Sequence, residues 1–443
     1  MRADIVDKVR AAGVVGAGGA GFPTHVKLQF EAQRVLANGA SCEPLLAGDP
    51  HLMTGEAPTI VDGLLTVMDC TAAHRGTVCL KSKHPQAVSA LREAITARGC
   101  GERVDVFELD DFYPAGDEFI LVHEVTGKIV PEGGIPLHVQ TVVSNVESLF
   151  NIAHAMAGRP VTHRYLTVCG EVRQPMVCRL PIGTPVRDVI ALAGGAAVSD
   201  YGVVSGGPMM GRVLEDETAP VTKTTSGVIV LPAGHNVLQG KQRSLPQMRM
   251  IAKSACTQCS RCTDLCPRYL IGHRLEPHRI MRHLAYTPGM EGEVLEDALI
   301  CCECGICEKF ACPMMLSPRE INAAVKQKLL KEGVKRAASR ETYRASMFLE
   351  TRKVPVRRLM ERLQVASYDV HPPFHEGAAD IAEVRIPLQQ HLGKPAVPVV
   401  RAGDRVREGD LVGEIPEGAL GARVHASIDG EVVSVGSDIV IRR

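Results

Sequence analysis

The sequence predicts a multidomain protein of mixed α/β and α+β class, and three observations carry that expectation. The chain has 443 residues, 45% of them apolar, more than one hydrophobic core usually organises. Residues 60–110 alternate helix-like with strand-like segments, the texture of an α/β unit, whereas 165–231 break into short strands and glycine turns. Between 256 and 313, nine of the fifteen cysteines fall into two runs at metal-ligand spacing, which places a separate metal-binding unit after the first two.

In chain order, residues 2–12 set Ile5, Val6 and Val9 at helical spacing, so a short amphipathic helix opens the chain. It is either the first packed helix or a targeting peptide for a protein shell. It leads into GVVGAGGAGFPTHVK, where Gly16, Gly18 and Gly21 satisfy G-x-G-x-x-G. A dinucleotide fingerprint follows a strand, and here a helical segment precedes the glycines, so the ordinary Rossmann context is missing. What remains is a plain glycine turn, or backbone free of side-chain bulk that can approach a phosphate or a flat ring. Between 60 and 110 the strand TVCLKS, the helix PQAVSALREAITA and the strand RVDVFEL follow a helical segment, and Cys70, Cys79 and Cys100 read as buried small apolar groups. From Tyr165 to Leu231 the segments YLTVCGEV, GGAAVSDYGVVSGGPMMGRV and GVIVLP form strands and turns, with Met209 and Met210 as packing residues.

The first cysteine run sets Cys256, Cys259, Cys262 and Cys266 before Pro267 at C-x2-C-x2-C-x3-C-P spacing. The second keeps Cys301, Cys304 and Cys307 but leaves four residues before Cys312 and Pro313. In two-cluster ferredoxins the fourth cysteine of each run ligates the other cluster. That rule assigns Cys256, Cys259, Cys262 and Cys312 to one [4Fe-4S] cube, and Cys301, Cys304, Cys307 and Cys266 to a second. Structural zinc uses cysteine pairs and fits these triplets poorly. Disulfides fit poorly with an odd cysteine count and no secretory signal. Cys302 adjoins Cys301 and competes with it as a ligand, although only Cys301 gives x2 spacing to Cys304.

Beyond the runs, Ser317-Pro318-Arg319-Glu320 reads as a capping box with proline at the first helical position, opening a long basic helix. From Ser317 to Arg362 thirteen Lys and Arg face five Glu, either a docking face for an acidic redox partner or a solvated surface. Over the whole chain fifty acids balance fifty bases, which argues against nucleic acid as a partner. No apolar run approaches the roughly twenty residues a membrane-spanning helix needs. The start, MRADIVDKVRAAG, lacks the apolar core of a signal peptide, so a soluble protein of a reducing compartment is expected.

The block GAGGAGFPTHVK resembles the flavin-binding loop of the NADH-oxidising subunit of respiratory complex I, and more closely that of the RnfC protein of the Rnf electron-transport complex. The resemblance continues through VLANGASCEPLLAGDPHLM at 35–53, YPAGDE at 113–118 and SNVESLFNIAHA at 144–155, in the order those families have them. It implies a flavin-binding Rossmann-like α/β domain over residues 1–157. In it Gly16, Gly18, Gly19, Gly21 and Lys27 would cradle FMN, and Asn38, Glu43, Asp117, Glu118, Asn145 and Glu147 would line the flavin and nicotinamide site. The complex I loop carries an arginine where this chain has Ala17, so that phosphate contact is absent. GDPHLMTG, from Gly48 to Gly55, approaches the D-x-H-x-x-G signature of cobalamin-binding enzymes, but the step from His51 to Gly55 is one residue too long.

The same families imply a β-grasp domain over 160–240 and a helical, ferredoxin-like domain with two [4Fe-4S] clusters over 246–320. A basic helical linker over 321–375 and a barrel-sandwich hybrid domain over 378–443 complete the chain. In RnfC the barrel-sandwich lies at the N-terminus. Here HASIDGEV carries no lysine for a lipoyl or biotinyl group, which leaves a structural or docking module.

This order of parts resembles the cobalamin reductase family of propanediol-utilisation microcompartments. The resemblance implies an NADH-dependent flavin and iron–sulfur reductase that takes cob(III)alamin towards cob(I)alamin for a B12-dependent diol dehydratase. The expected partners are cobalamin or a cobalamin-handling enzyme such as an adenosyltransferase, together with shell proteins. The expected location is cytoplasmic, inside a bacterial microcompartment. No side chain need act as acid or base, so no catalytic residue is named. The alternatives are an RnfC-like protein feeding a membrane complex or ferredoxin, and a non-enzymatic electron shuttle within a shell.

Overall fold

The structure is a computed structural model that describes residues 2–241, 243–287, 289–338, 342–376 and 381–443. The chain opens with α1 (Arg2–Ala11), a glycine loop closed by an antiparallel bridge between Val15 and Pro23, and the single turn α2 (Thr24–Lys27). Ile5 and Val9 of α1 are buried in the main core, so the apolar side of this helix packs inward.

Four parallel strands follow, β1 (Arg34–Gly39), β2 (Arg75–Lys81), β3 (Val104–Leu109) and, beyond the short β4 (Phe112–Tyr113), β5 (Thr141–Asn145). The sheet order is β3-β2-β1-β5. The central strands are buried on both faces, which is why they read as continuous apolar runs. Helices α3 (Gly48–Gly55), α4 (Ala57–Thr71), α5 (Pro85–Ala97), α6 (Glu118–Thr126) and α7 (Val146–Met156) cover them. α4 and α7 cross closely at Gly63, where any Cβ would run into the carbonyl of Leu149.

A second sheet combines β6 (His163–Gly170), β7 (Met176–Pro181), β8 (Tyr201–Ser205), β9 (Arg212–Val213) and β10 (Gly227–Pro232) around α8 (Val186–Leu192). The helical unit begins at α9 (Asn236–Lys241) and α10 (Leu245–Ala255). It continues through the short α11 (Arg261–Asp264) and α12 (Pro267–Leu270), α13 (Pro277–Tyr286) and α14 (Pro318–Lys331). Met248, Ile280, Leu284, Leu295, Ile321 and Val325 form its core.

The segment expected as a basic helical linker over 321–375 is only partly helical, and it is not a linker. β11 (Val354–Pro355) pairs with β4 of the α/β unit, α15 (Val356–Leu363) follows, and β12 (Phe374–His375) adds an edge strand to the second sheet. The capping box expected at Ser317 does not form: its side chain makes no cap bond, and Glu320 pairs with Arg319 instead. Met209 is buried as expected, but Met210 is 46% exposed.

The last unit pairs β13 (Glu383–Pro387), β15 (Arg405–Val406), β18 (Gly430–Val435) and β19 (Asp438–Arg442) in one sheet. β14 (Val397–Pro398), β16 (Leu411–Glu414) and β17 (Val424–His425) form the other. The boundary expected at 378 lies outside the described residues. Val384, Ile386, Val432 and Ile439 join the same apolar core as α1 and α4. Among the described residues no helix is long and apolar enough to cross a membrane.

Candidate redox site

The chain runs from β1 outward through β2 and β3, then returns to place β5 on the other side of β1. In a parallel sheet the crevice beyond the strand ends at such a reversal is where ligands bind. Asn38 and Asn145 are register partners at the C-terminal ends of these two strands. The glycine loop lies over this point, since a Cβ on Gly18 would sit 3.5 Å from the Asn145 Cβ. Asn145 donates from Nδ2 to Asp49 Oδ2 at 3.0 Å, and Asn38 donates to the Gly116 carbonyl at 2.9 Å. The blocks carrying Gly18, Asn38, Asp49, Gly116 and Asn145 therefore converge although they are spread over 128 residues.

The loop is a hairpin in which Gly16 N–H donates to the Phe22 carbonyl and Gly21 N–H to the Gly16 carbonyl. Gly19 has φ +112 and a Cβ there would meet no protein atom within 4 Å, so this backbone borders open space. Lys27 donates to the Val143 carbonyl at 2.7 Å and lies 3.6 Å from Glu118, leaving a cation beside the crevice. A glycine hairpin with an open face, a neighbouring lysine and a switch-point crevice fits a flavin phosphate and ring.

The other expected site residues have partners within the protein. Glu147 is buried and ion-paired with Arg164 at 2.6 Å; burial pushes its carboxyl up to about 7 while Arg164 pulls the other way. The Arg164 guanidinium at 2.6 Å favours the ionised carboxylate. Burial likewise raises Glu43, whose two oxygens accept the Met209 and Met210 N–H groups at 3.0 and 2.8 Å. Asp117 caps α6 through the Phe119 and Ile120 N–H groups and forms a two-pronged ion pair with Arg268. His51 stacks on Phe374 with ring centroids 4.3 Å apart.

The cysteines form two rings. Cys256, Cys259, Cys262 and Cys312 line one cavity; Cys266, Cys301, Cys304 and Cys307 line another. Each ring thus takes three cysteines from one run and the last from the other. Among the described residues no three His, Cys, Asp or Glu are gathered closely enough to hold a single metal ion. A cube needs four thiolates at its corners, and each cavity is lined by four cysteines, so the residues fit the group. The extra residue before Cys312 is taken up by a π-helical turn over Ile306–Ala311, which carries one more residue per turn than α11 does in the first run. N–H groups of Glu303 and Leu316 point at the sulfurs of Cys301 and Cys312 at 3.3 and 3.4 Å. Cys302 also lines the smaller cavity.

Two contacts join the smaller ring to the flavin-like blocks. Tyr113 is buried and donates from its hydroxyl to the Cys304 carbonyl at 2.7 Å. Arg268, two residues after Cys266, is clamped between Asp117, the Ile300 carbonyl at 3.3 Å and the Phe119 ring at 4.1 Å. Sequence reasoning missed Tyr113, Arg268 and Arg164 as individual residues. Arg164, the second residue of β6, is buried and bonds the carbonyls of Ala17 and Thr225; a charge leading into an apolar strand was the available signal.

Comparison with known proteins gives the parts their families. The Nuo51 FMN-binding domain family matches residues 9–154, the SLBB domain 165–213, a 4Fe-4S dicluster domain 255–317 and the RnfC barrel sandwich hybrid domain 376–442. With the crevice and the cysteine rings, these define an oxidoreductase of the flavin and iron–sulfur electron-transfer class. The cobalamin reductase PduS of Salmonella typhimurium is 42% identical over 438 residues, covering 99% of this chain and 96% of that protein. That of Citrobacter freundii is 42% identical over 97% of this chain and 94% of its own. The chain belongs to the PduS cobalamin reductase family. The RnfC-type component of the Na+-translocating ferredoxin:NAD+ oxidoreductase complex of Acetobacterium woodii is 37% identical over 61% of this chain and 59% of its own.

Proposed function

We propose that the protein oxidises NADH and delivers the electrons, through FMN and two [4Fe-4S] cubes, to cob(III)alamin. The overall balance is NADH plus Co(III) giving NAD+, a proton and Co(I), so one NADH serves one cobalt. Bound FMN supplies a hydride acceptor that can release electrons singly, and the cubes supply one-electron carriers. The remaining work belongs to the chain itself. Gly16, Gly18, Gly19 and Gly21 give a backbone surface for the flavin, Lys27 offsets phosphate charge, and Asn38 and Asn145 fix the floor of the crevice. Glu43, Asp117, Glu118 and Glu147 bound the region where NADH enters. Cys266, Cys301, Cys304 and Cys307 hold the inner cube, which Tyr113 and Arg268 keep against the flavin side. Cys256, Cys259, Cys262 and Cys312 hold the outer cube, where Cys259 is exposed to partners.

The observation that carries this reading is the pair of cysteine rings, one tied directly to the flavin-like blocks by Tyr113 and Arg268. The cobalt acceptor rests on the named PduS relatives. A location inside a bacterial microcompartment, with an adenosyltransferase and shell proteins as neighbours, is part of the same proposal and rests on the resemblance in the order of the domains. An anaerobic acceptor screen tests it. NADH oxidation by the loaded protein should be supported by aquacobalamin; turnover with ferredoxin or quinone and none with aquacobalamin would contradict it.

A further inference from the structure

A polar cavity of about 240 Å³ lies apart from the glycine loop and outside both cysteine rings. Asn236 and Gln239 of α9, Arg243, Glu308 and Lys309 of the π turn, and Arg362 of α15 supply its polar lining. Glu308 is only 5% exposed and is paired with Lys309, whose Nζ lies 3.1 Å from one carboxylate oxygen. That pair lacks hydrogen-bond alignment, and the buried Oδ1 of Asn236 has no protein partner among the described residues. On the donor side, Arg243 uses Nη1 on the Met315 carbonyl at 2.8 Å and Arg362 uses Nη2 on the Cys312 carbonyl at 3.4 Å. A guanidinium has five N–H donors, so each arginine keeps others for an occupant.

A buried carboxylate with room for further N–H donors and a buried amide oxygen with no protein partner among the described residues, close to guanidinium groups with spare donors, leave polar groups for an occupant to complete. The occupant must offer N–H groups to Glu308 and Asn236 and oxygen atoms to Arg243 and Arg362. A primary carboxamide offers both. The cavity also borders both rings: Glu308 follows Cys307 of the inner ring, and Arg362 bonds the carbonyl of Cys312 of the outer ring.

We infer that this cavity is the docking site of the electron acceptor, and that it takes the carboxamide-bearing rim and phosphodiester tail of a corrinoid. The inference rests on the reductase reading above and adds where the acceptor binds. The test uses the full-length protein loaded anaerobically with iron and flavin, and aquacobalamin as the probe. Binding is measured by ultrafiltration, and NADH-driven ferricyanide reduction reports the flavin side. Asn236→Leu and Arg243→Gln should each weaken aquacobalamin binding about tenfold, the equivalent of one or two lost hydrogen bonds, with iron content and ferricyanide reduction unchanged. Glu308→Gln should do the same; because it adjoins Cys307, Asn236→Leu decides if that variant loses iron. Equal binding by wild type and variants would mean the cavity holds ordered water only, overturning the site while sparing the acceptor. No binding or reduction of aquacobalamin by the wild type would overturn both.

Discussion

Gly19 sits at φ +112 with open space where a side chain would project. Gly19→Val should therefore abolish flavin retention while leaving iron content unchanged, because the branched side chain fills the face the flavin needs. Gly19→Ala carries the same backbone penalty of about 1–2 kcal/mol with far less bulk, and separates strain from occlusion. Full flavin occupancy in the valine variant, read from the absorbance of the purified protein, would show that the loop is not the cradle. Arg164 offers a second residue-scale test. Arg164→Met strands Glu147 as a buried unpaired charge, and should cost about 3–5 kcal/mol, measured as a loss of thermal stability. Stability equal to wild type would mean the pair is not formed. The sequence made the glycine loop legible because its signal is local. It hid Arg164, because the carbonyl of Ala17 lies 147 residues away in the chain.

The barrel-sandwich unit docks beside the glycine loop, where the Leu392 N–H donates to the Gly21 carbonyl at 3.0 Å. Lys223 fastens that junction, donating to the carbonyls of Gly13 and Arg423, both at 2.7 Å, with no carboxylate partner among the described residues. Burial pushes this lysine down from 10.5 to about 7. Between those values the unfolded chain binds more protons than the folded one, so stability rises with pH from about 7 towards 10.5, by at most about 1.4 kcal/mol per pH unit. The nearby His25 and His425 are held down to about 4 and 3, and His391 is lowered as well, so they stay neutral in this window. Because buried thiols such as Cys79, Cys169 and Cys178 are pushed up and act in the opposite sense at high pH, the test is the difference: the stability of wild type relative to Lys223→Met, read by thermal unfolding, should rise with pH across this window, and parallel slopes would contradict it. At this scale the long strands and helices of the α/β unit were legible from periodicity. The two-residue strands β11 and β12 were not, because strands that short carry no pattern and exist only through partners far away in sequence. The cap at Ser317 failed for a related reason: Arg319 claims Glu320 in the folded state.

Across the whole molecule the two-cluster ferredoxin rule proposes that each run lends its fourth cysteine to the other cube, and two cavities are each lined by one such set of four. About eight iron and eight acid-labile sulfides per chain are expected after anaerobic purification. Replacing Cys256, Cys259 and Cys262 together should remove about half of each, and zinc in the fully loaded protein would contradict the assignment. What spacing could not supply was the order of the rings relative to the flavin side. That order depends on Tyr113 and Arg268, single contacts across 191 and 151 residues of chain. The central claim is that electrons leave the flavin through the rings, and rapid mixing of NADH with the intact protein and with a Cys259→Ala, Cys304→Ala double variant tests it most directly. NADH should bleach the flavin at the same rate in both, while reduction of aquacobalamin falls steeply in the variant. Equal rates of cobalamin reduction would show that the rings are structural and that the flavin itself is the reductant.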